Sequence, residues 1–149
     1  MSIELIGVHK AFGVNQVLKG FTLSVQDGDT LSVIGGSGTG KSVALKHIVG
    51  LLRPDQGEIW VDGENVSRLD LETLYVLRRR VGYVFQFAAL FDSMTIEENV
   101  GMGLRRMSDM TEAKIRSRVF DCLHLVDLDG YGDRFPSQLS GGQRKRAGF

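Results

Sequence analysis

At 149 residues the chain is long enough for one domain with its own core, and with 42% apolar and 24% charged residues it reads as an ordinary globular protein. Its 18 basic and 18 acidic residues balance, which excludes a nucleic-acid-binding tail or an acidic solvating segment for the chain as a whole, so no nucleic-acid partner is expected. No stretch of 18 uncharged apolar residues occurs, so any membrane role is expected to come through a partner.

The chain opens Met1-Ser2-Ile3-Glu4, without the basic and apolar segments of a secretory signal. A single cysteine, Cys122, cannot pair internally, which suits a reducing compartment. Residues 3–8 and 17–25 predict strands, with Gly13 and Asn15 between them. Asp27-Gly28 signals a turn. Residues 30–34, a short and mostly apolar run, predict a buried strand. Residues 41–52 predict a helix with Ala44, Ile48, Leu51 and Leu52 at helical spacing, weakened at Gly50 and stopped by Pro54. Residues 57–61 and the Asp62-Gly63 turn predict a hairpin. Residues 71–79 predict a helix with Leu71, Leu74, Tyr75 and Arg78 on one side, and residues 81–85 another buried strand. Thr95 followed by Glu98 is a capping box that opens a helix. Ile115, Val119, Cys122, Leu123 and Val126 form an amphipathic stripe. A β-rich start, a strand–loop–helix unit and a mostly helical second half together predict a mixed α/β architecture with a helical insertion.

Between the strand expected at 30–34 and the helix expected from Lys41 stands Gly35-Gly36-Ser37-Gly38-Thr39-Gly40-Lys41-Ser42, which fits G-x-x-x-x-G-K-S at every position. Glycines let the backbone turn tightly enough for successive N–H groups to point at phosphate oxygens. The following helix adds the positive end of its dipole. Lys41 is a mobile cation for the β- and γ-phosphates, and the Ser42 hydroxyl is placed to ligate Mg²⁺. Such a loop signifies a nucleotide without specifying the work done with it, since kinases, GTPases and motor ATPases share it.

Leu139-Ser140-Gly141-Gly142-Gln143 narrows the choice. Read alone, a serine and two glycines before a helix starting near Gln143 are an ordinary cap, and equally a second anion-binding helix N-terminus. Placed about 100 residues after the phosphate loop, this run resembles the signature motif of the ATP-binding cassettes, the ABC ATPases. Two further positions agree with that family. Gln86, after the run 81–85, resembles its Q-loop glutamine, whose amide touches Mg²⁺ or the attacking water; by itself it is a polar residue ending a strand. Phe12, in His9-Lys10-Ala11-Phe12-Gly13, stands where the family has an aromatic, usually Tyr, that stacks on adenine; by itself it is a core phenylalanine.

The resemblance covers the whole chain and implies a P-loop NTPase of α/β class, with a RecA-like parallel-sheet core, an antiparallel β-subdomain and a helical subdomain carrying the signature. Residues 1–149 then form a partial nucleotide-binding domain, with the β-subdomain and part of the core in 1–85 and the Q-loop and helical subdomain in 86–149. The implied site comprises Phe12 for adenine, residues 35–42 for the phosphates of ATP, and Ser42 with Gln86 for Mg²⁺. Lys41 and Gln86 are the residues implied to act in hydrolysis. Ser140, Gly141, Gly142 and Gln143 are implied to close over the ATP of a second copy in a head-to-tail homodimer. The family's acidic motif and switch histidine follow its signature, whereas His9, His47 and His124 precede it here. The resemblance therefore implies a longer ATPase parent and no hydrolysis by residues 1–149 alone.

Residues 87–95, Phe-Ala-Ala-Leu-Phe-Asp-Ser-Met-Thr, lie where transporter cassettes receive their membrane subunit. Five uncharged, mostly large residues there form an apolar socket or a piece of local core. With Phe85-Gln86 before it, Glu98-Asn99-Val100 after it and the basic run Arg144-Lys145-Arg146, the pattern is most similar to Mla-type phospholipid transport ATPases. The implied protein is the ATP-binding subunit of a transporter, cytoplasmic and peripheral on the inner face of the membrane against an integral permease. Two other classes stand beside it: a soluble ABC ATPase without a membrane partner, and a nucleotide-binding fragment without turnover.

Overall fold

The computed structural model describes residues 1–149, the side chain of Met107 excepted. It divides into two compact units, Met1–Tyr83 and Val84–Phe149.

In the first unit, strands β1 (Ile3–Phe12) and β2 (Asn15–Val25) form a long antiparallel hairpin, running from Ile3 opposite Val25 to Phe12 opposite Asn15. Its other side pairs with β3 (Gln56–Val61), which turns through Asp62-Gly63 into the short β4 (Glu64–Asn65), giving the order β2-β1-β3-β4. Both turn residues have positive φ, 48° and 79°, as the mirror-image turns that suit strand twist require. Gly57 marks an irregularity between β1 and β3: its φ is 89°, and a β-carbon there would lie 2.4 Å from the Gly7 carbonyl oxygen. Leu5, Val8, Leu18, Ile59 and Val61 bury one side of the sheet against helices α1 (Lys41–Ile48) and α2 (Leu71–Arg78). Each such side chain contributes about 1.5–3 kcal/mol on full burial.

Three expectations change here. Helix α1 stops at Ile48 rather than 52, because Gly50 adopts φ 63° and returns its N–H to the His47 carbonyl. Arg78 then donates from Nε and Nη2 to the Val49 and Gly50 carbonyls, at 2.9 and 3.1 Å. Helix α2 turns Leu74 and Leu77 to the core, leaving Leu71 and Tyr75 exposed. Its phase is fixed by Asp70, which caps it at the Thr73 N–H (2.8 Å), and by Gly50, whose missing β-carbon makes the seat for Leu74. Residues 30–34 and 81–85 belong to no sheet; Leu31, Val33, Ile34, Val84 and Phe85 are exposed, Ile34 at 93%. The parallel core expected around them is correspondingly unformed: every strand pairing among the described residues is antiparallel. An apolar run becomes a buried strand only where a neighbour supplies ladder hydrogen bonds, and no described strand does so.

The second unit is helical: α3 (Ile96–Met107), α4 (Glu112–Leu125) and the short α5 (Gly141–Ala147). The capping box at α3 is present, with the Glu98 N–H donating to Thr95 Oγ1 and the Thr95 N–H to Glu98 Oε2. Ile115, Val119 and Leu123 of the stripe are buried with Ile96, Leu128 and Leu139, while Cys122 and Val126 are half-buried. Helices α3 and α4 approach closely at Gly101, where a β-carbon would lie 3.3 Å from Val119 Cγ2.

Candidate functional site

The phosphate loop lies wholly in the first unit. Residues 35–39 are exposed, and Gly38 and Gly40 take φ of 81° and 94°, values only glycine reaches without strain. Gly40 is the N-cap of α1, yet no side chain caps this helix and no acidic residue sits in its first turn. A helix start leaves several N–H groups without intrahelical acceptors, and here no side chain takes them up at the positive end of the dipole. Gly40 is also where β2 presses on the loop: a β-carbon would lie 2.9 Å from Leu18 Cδ2, 3.0 Å from Val17 Cγ1 and 3.2 Å from the Val17 carbonyl oxygen.

Lys41 does not extend into solvent. Its ammonium donates to the Gly35 carbonyl at 2.7 Å and the Gly36 carbonyl at 2.6 Å, with Thr39 Oγ1 at 3.5 Å. The Thr39 hydroxyl in turn donates to the Gly36 carbonyl at 2.9 Å. The loop thus holds its own cation over its mouth, with Ser37 and Ser42 exposed beside it.

Phe12 ends β1 in the same unit, 49% exposed rather than buried in a core. Lys10 Nζ lies 5.8 Å from its ring centroid. Asp55 anchors this strand end, accepting from Lys10 Nζ at 2.6 Å and the Ala11 N–H at 2.7 Å. The Lys10 ammonium, and then the Ala11 N–H, hold the Asp55 carboxyl below its ordinary pKa. No local signal marks Asp55, which is 44 residues away in sequence.

Gln86 and residues 139–143 belong to the second unit. Gln86 lies exposed in a turn, not at the end of a strand. Phe87 beside it is 87% exposed and Phe91 51%, so these rings are surface rather than local core. Asn99 staples the following residues: its Oδ1 accepts the Phe91 N–H at 2.7 Å, and its Nδ2 donates to the Phe91, Met94 and Thr95 carbonyls. The signal for Asn99 was present in the sequence, as a poor helix former one turn after a capping box.

The signature residues are arranged differently from the phosphate loop. Ser140 Oγ accepts the Gln143 N–H at 3.2 Å, and the Ser140 N–H donates to Gln143 Oε1 at 2.8 Å. Helix α5 therefore begins at Gly141, two residues before the expected start, and partly caps its own end. Gly141 and Gly142 are exposed, with open space where a β-carbon would stand. In the basic run, Arg144 folds back onto the Leu139 carbonyl at 2.6 Å and Arg146 reaches Asp127 at 3.5 Å.

The sequence pattern of the ABC transporter family matches residues 18–149. The chain belongs to that family. The ABC chain is 42% identical over 149 residues to the "Probable ribonucleotide transport ATP-binding protein mkl" of Mycobacterium tuberculosis strain H37Rv, covering 100% of this chain and 42% of that protein. It is 43% identical over 146 residues to the "Sulfate/thiosulfate import ATP-binding protein CysA" of Synechocystis, covering 98% and 39%. It superposes on the dimeric post-hydrolysis structure of the cassette MJ0796 bound to ADP and Pi with a TM-score of 0.89 at 33% identity, covering 98% of this chain and 66% of that one. The fold is that of the P-loop NTPase cassettes. The ABC chain spans about two fifths of the length of the curated relatives it matches. Its uncapped α1 N-terminus, exposed glycine loop and Lys41 ammonium fit a triphosphate, and the exposed Ser42 hydroxyl offers a hard oxygen to Mg²⁺.

Proposed function

We propose that this ABC chain is the nucleotide-binding part of a transporter ATPase, holding Mg-ATP on residues 35–42. The observation that carries this reading is the start of α1: a helix end no side chain caps, entered through positive-φ glycines, with a lysine ammonium held at the loop's mouth. Residues 36–41 supply N–H donors to the phosphates, Lys41 adds its charge, and Phe12 offers a half-exposed ring to the adenine. Ser42 would hold Mg²⁺, which when bound would neutralise charge on the β- and γ-phosphates; the metal role of Gln86 rests on the family resemblance alone. Lys41 would stabilise the phosphoryl group during hydrolysis by the full-length protein, and the resemblance assigns Gln86 the task of reporting the γ-phosphate.

In this reading a second copy, placed head-to-tail, brings Ser140, Gly141, Gly142 and Gln143 over the nucleotide. The dimeric state of the MJ0796 cassette supports that arrangement. The exposed Phe87 and Phe91 dock an integral membrane permease, placing the subunit peripherally on the inner face of the membrane. Among the described residues no helix is long and apolar enough to cross a bilayer. The cargo belongs to the partner subunits, as two relatives of similar identity named for ribonucleotide and for sulfate or thiosulfate transport illustrate. A phospholipid is the cargo that the 85–100 pattern favours.

Ser140→Arg tests the composite site in the full-length protein. Its expected outcome is loss of ATP turnover with nucleotide affinity of the monomer unchanged. A loss of monomer affinity equal to that of Lys41→Ala would refute the two-chain site.

A further inference from the structure

We propose that the Thr39 hydroxyl is a positioning group for Lys41, accepting the third proton of the ammonium in the nucleotide-free loop and yielding it to an incoming phosphate oxygen. The inference rests on the phosphate-binding reading above and assigns a task to a side chain at one of that motif's variable positions.

An ammonium has three donors and no acceptor. Two of the Lys41 donors are spent on the Gly35 and Gly36 carbonyls, at 2.7 and 2.6 Å. The remaining oxygen near Nζ is Thr39 Oγ1, at 3.5 Å. The Thr39 proton is already committed to the Gly36 carbonyl at 2.9 Å, so the hydroxyl turns lone pairs, not its proton, toward the ammonium. The Gly36 oxygen accepts from both groups and uses both of its lone pairs. Three oxygens thus hold one cation, two at full hydrogen-bond distance and one beyond the usual 2.7–3.2 Å.

The long contact is the one that exchanges first. A phosphate oxygen carries charge and makes the stronger bond to an ammonium, while the two carbonyls keep Nζ where it is. Binding then displaces one weak contact instead of reorganising a flexible four-carbon side chain, a saving in ordering entropy. The same hydroxyl braces the backbone by closing the loop from Gly36 to Thr39. A β-carbon on Gly35 would lie 3.0 Å from Thr39 Oγ1, so the side chain also fills the space against the loop's first residue. Valine matches threonine in shape but lacks the donor and the acceptor; serine keeps both and lacks the methyl.

The test measures affinity for a fluorescent, non-hydrolysable ATP analogue with Mg²⁺ in the full-length protein, together with the rate at which acetic anhydride acylates Lys41 without nucleotide, read by mass spectrometry. Thr39→Val is expected to weaken binding about 3- to 10-fold, because the neutral Thr39–Gly36 hydrogen bond that keeps the loop preorganised is lost, and to speed Lys41 acylation. Thr39→Ser is expected to match the parent in both. Normal binding by Thr39→Val, weakened binding without faster acylation, or a serine variant as defective as the valine one each overturns the proposal. Lys41→Ala separates the two layers: if its affinity is unchanged the phosphate site itself is wrong, whereas its expected loss beside a normal Thr39→Val condemns only the role of Thr39.

Discussion

Two glycine-rich helix starts occur in this chain, and they handle their free N–H groups in different ways. Before α1, Gly40 brings no side chain to the cap, and the nearest charge is the Lys41 ammonium resting on two carbonyls. Before α5, Ser140 and Gln143 satisfy each other's backbone N–H groups, so this end is partly capped. The first arrangement spends no side chain on its helix start; the second ties up the N–H groups of Ser140 and Gln143 and leaves those of Gly141 and Gly142 for an anion. Similar composition therefore does not mean similar readiness to bind, and what differs is one side-chain oxygen at the N-cap.

The most severe challenge to that contrast is Lys41→Ala. Removing the cation from the open loop is expected to cost about 1.5–3 kcal/mol of ATP binding, roughly 10- to 150-fold in affinity, measurable by titration with a labelled nucleotide. Unchanged affinity would mean that the open helix start is not the anion site.

Next in size is Gly40→Ala. It forces a left-handed residue to carry a β-carbon 2.9 Å from Leu18 Cδ2, and a loss of about 2 kcal/mol or more is expected in thermal unfolding of the first unit. Its counterpart Gly142→Ala meets open space, and its effect on stability is expected within about 0.5 kcal/mol. Equal losses at both positions would erase the distinction between a loop pressed by β2 and a free cap.

Ser140→Ala is smaller again. It removes one half of the capping box and is expected to destabilise the second unit by about 1 kcal/mol, seen as a lower melting temperature. If the melting temperature stays put, the side-chain cap contributes nothing and the contrast rests on the phosphate loop alone.

The smallest effect distinguishes the units by acid. In the first unit Asp55 is held below its ordinary pKa by Lys10 and the Ala11 N–H, Asp62 by the Ser2 N–H and Arg80, and Asp70 by the Thr73 N–H. In the second, Arg105 does the same for Glu112. A lowered folded pKa means stability that is present above the unfolded value and lost as pH falls through the folded one. Stability is therefore constant near neutrality and declines below about pH 4. Trp60, the single tryptophan and a β3 residue, reports the first unit by fluorescence. Its transition is expected at a higher pH than the loss of hydrogen-exchange protection in α4; the reverse order would show that these carboxylates do not control acid stability.

Much of this was legible in one dimension because the relevant interactions are short-range. The capping box at Thr95 joins residues three apart, and the phosphate loop is a continuous run whose Gly38 and Gly40 need the left-handed conformation. The Asp62-Gly63 turn likewise announces its own backbone. What stayed hidden depends on distant partners. The phase of α2 is set by Gly50, and the anchoring of the Phe12 strand end by Asp55.

By itself, then, the sequence determined the local elements whose hydrogen bonds close within a few residues, and with them the family and the phosphate-binding loop. The tertiary structure decided which apolar runs become strands and which faces are buried. Residues 3–8 and 30–34 both read as strands, yet the first is paired on both sides and the second lies exposed. The physical reason is that a helix satisfies its own backbone, whereas a strand's N–H and C=O groups need a neighbour that no local pattern contains.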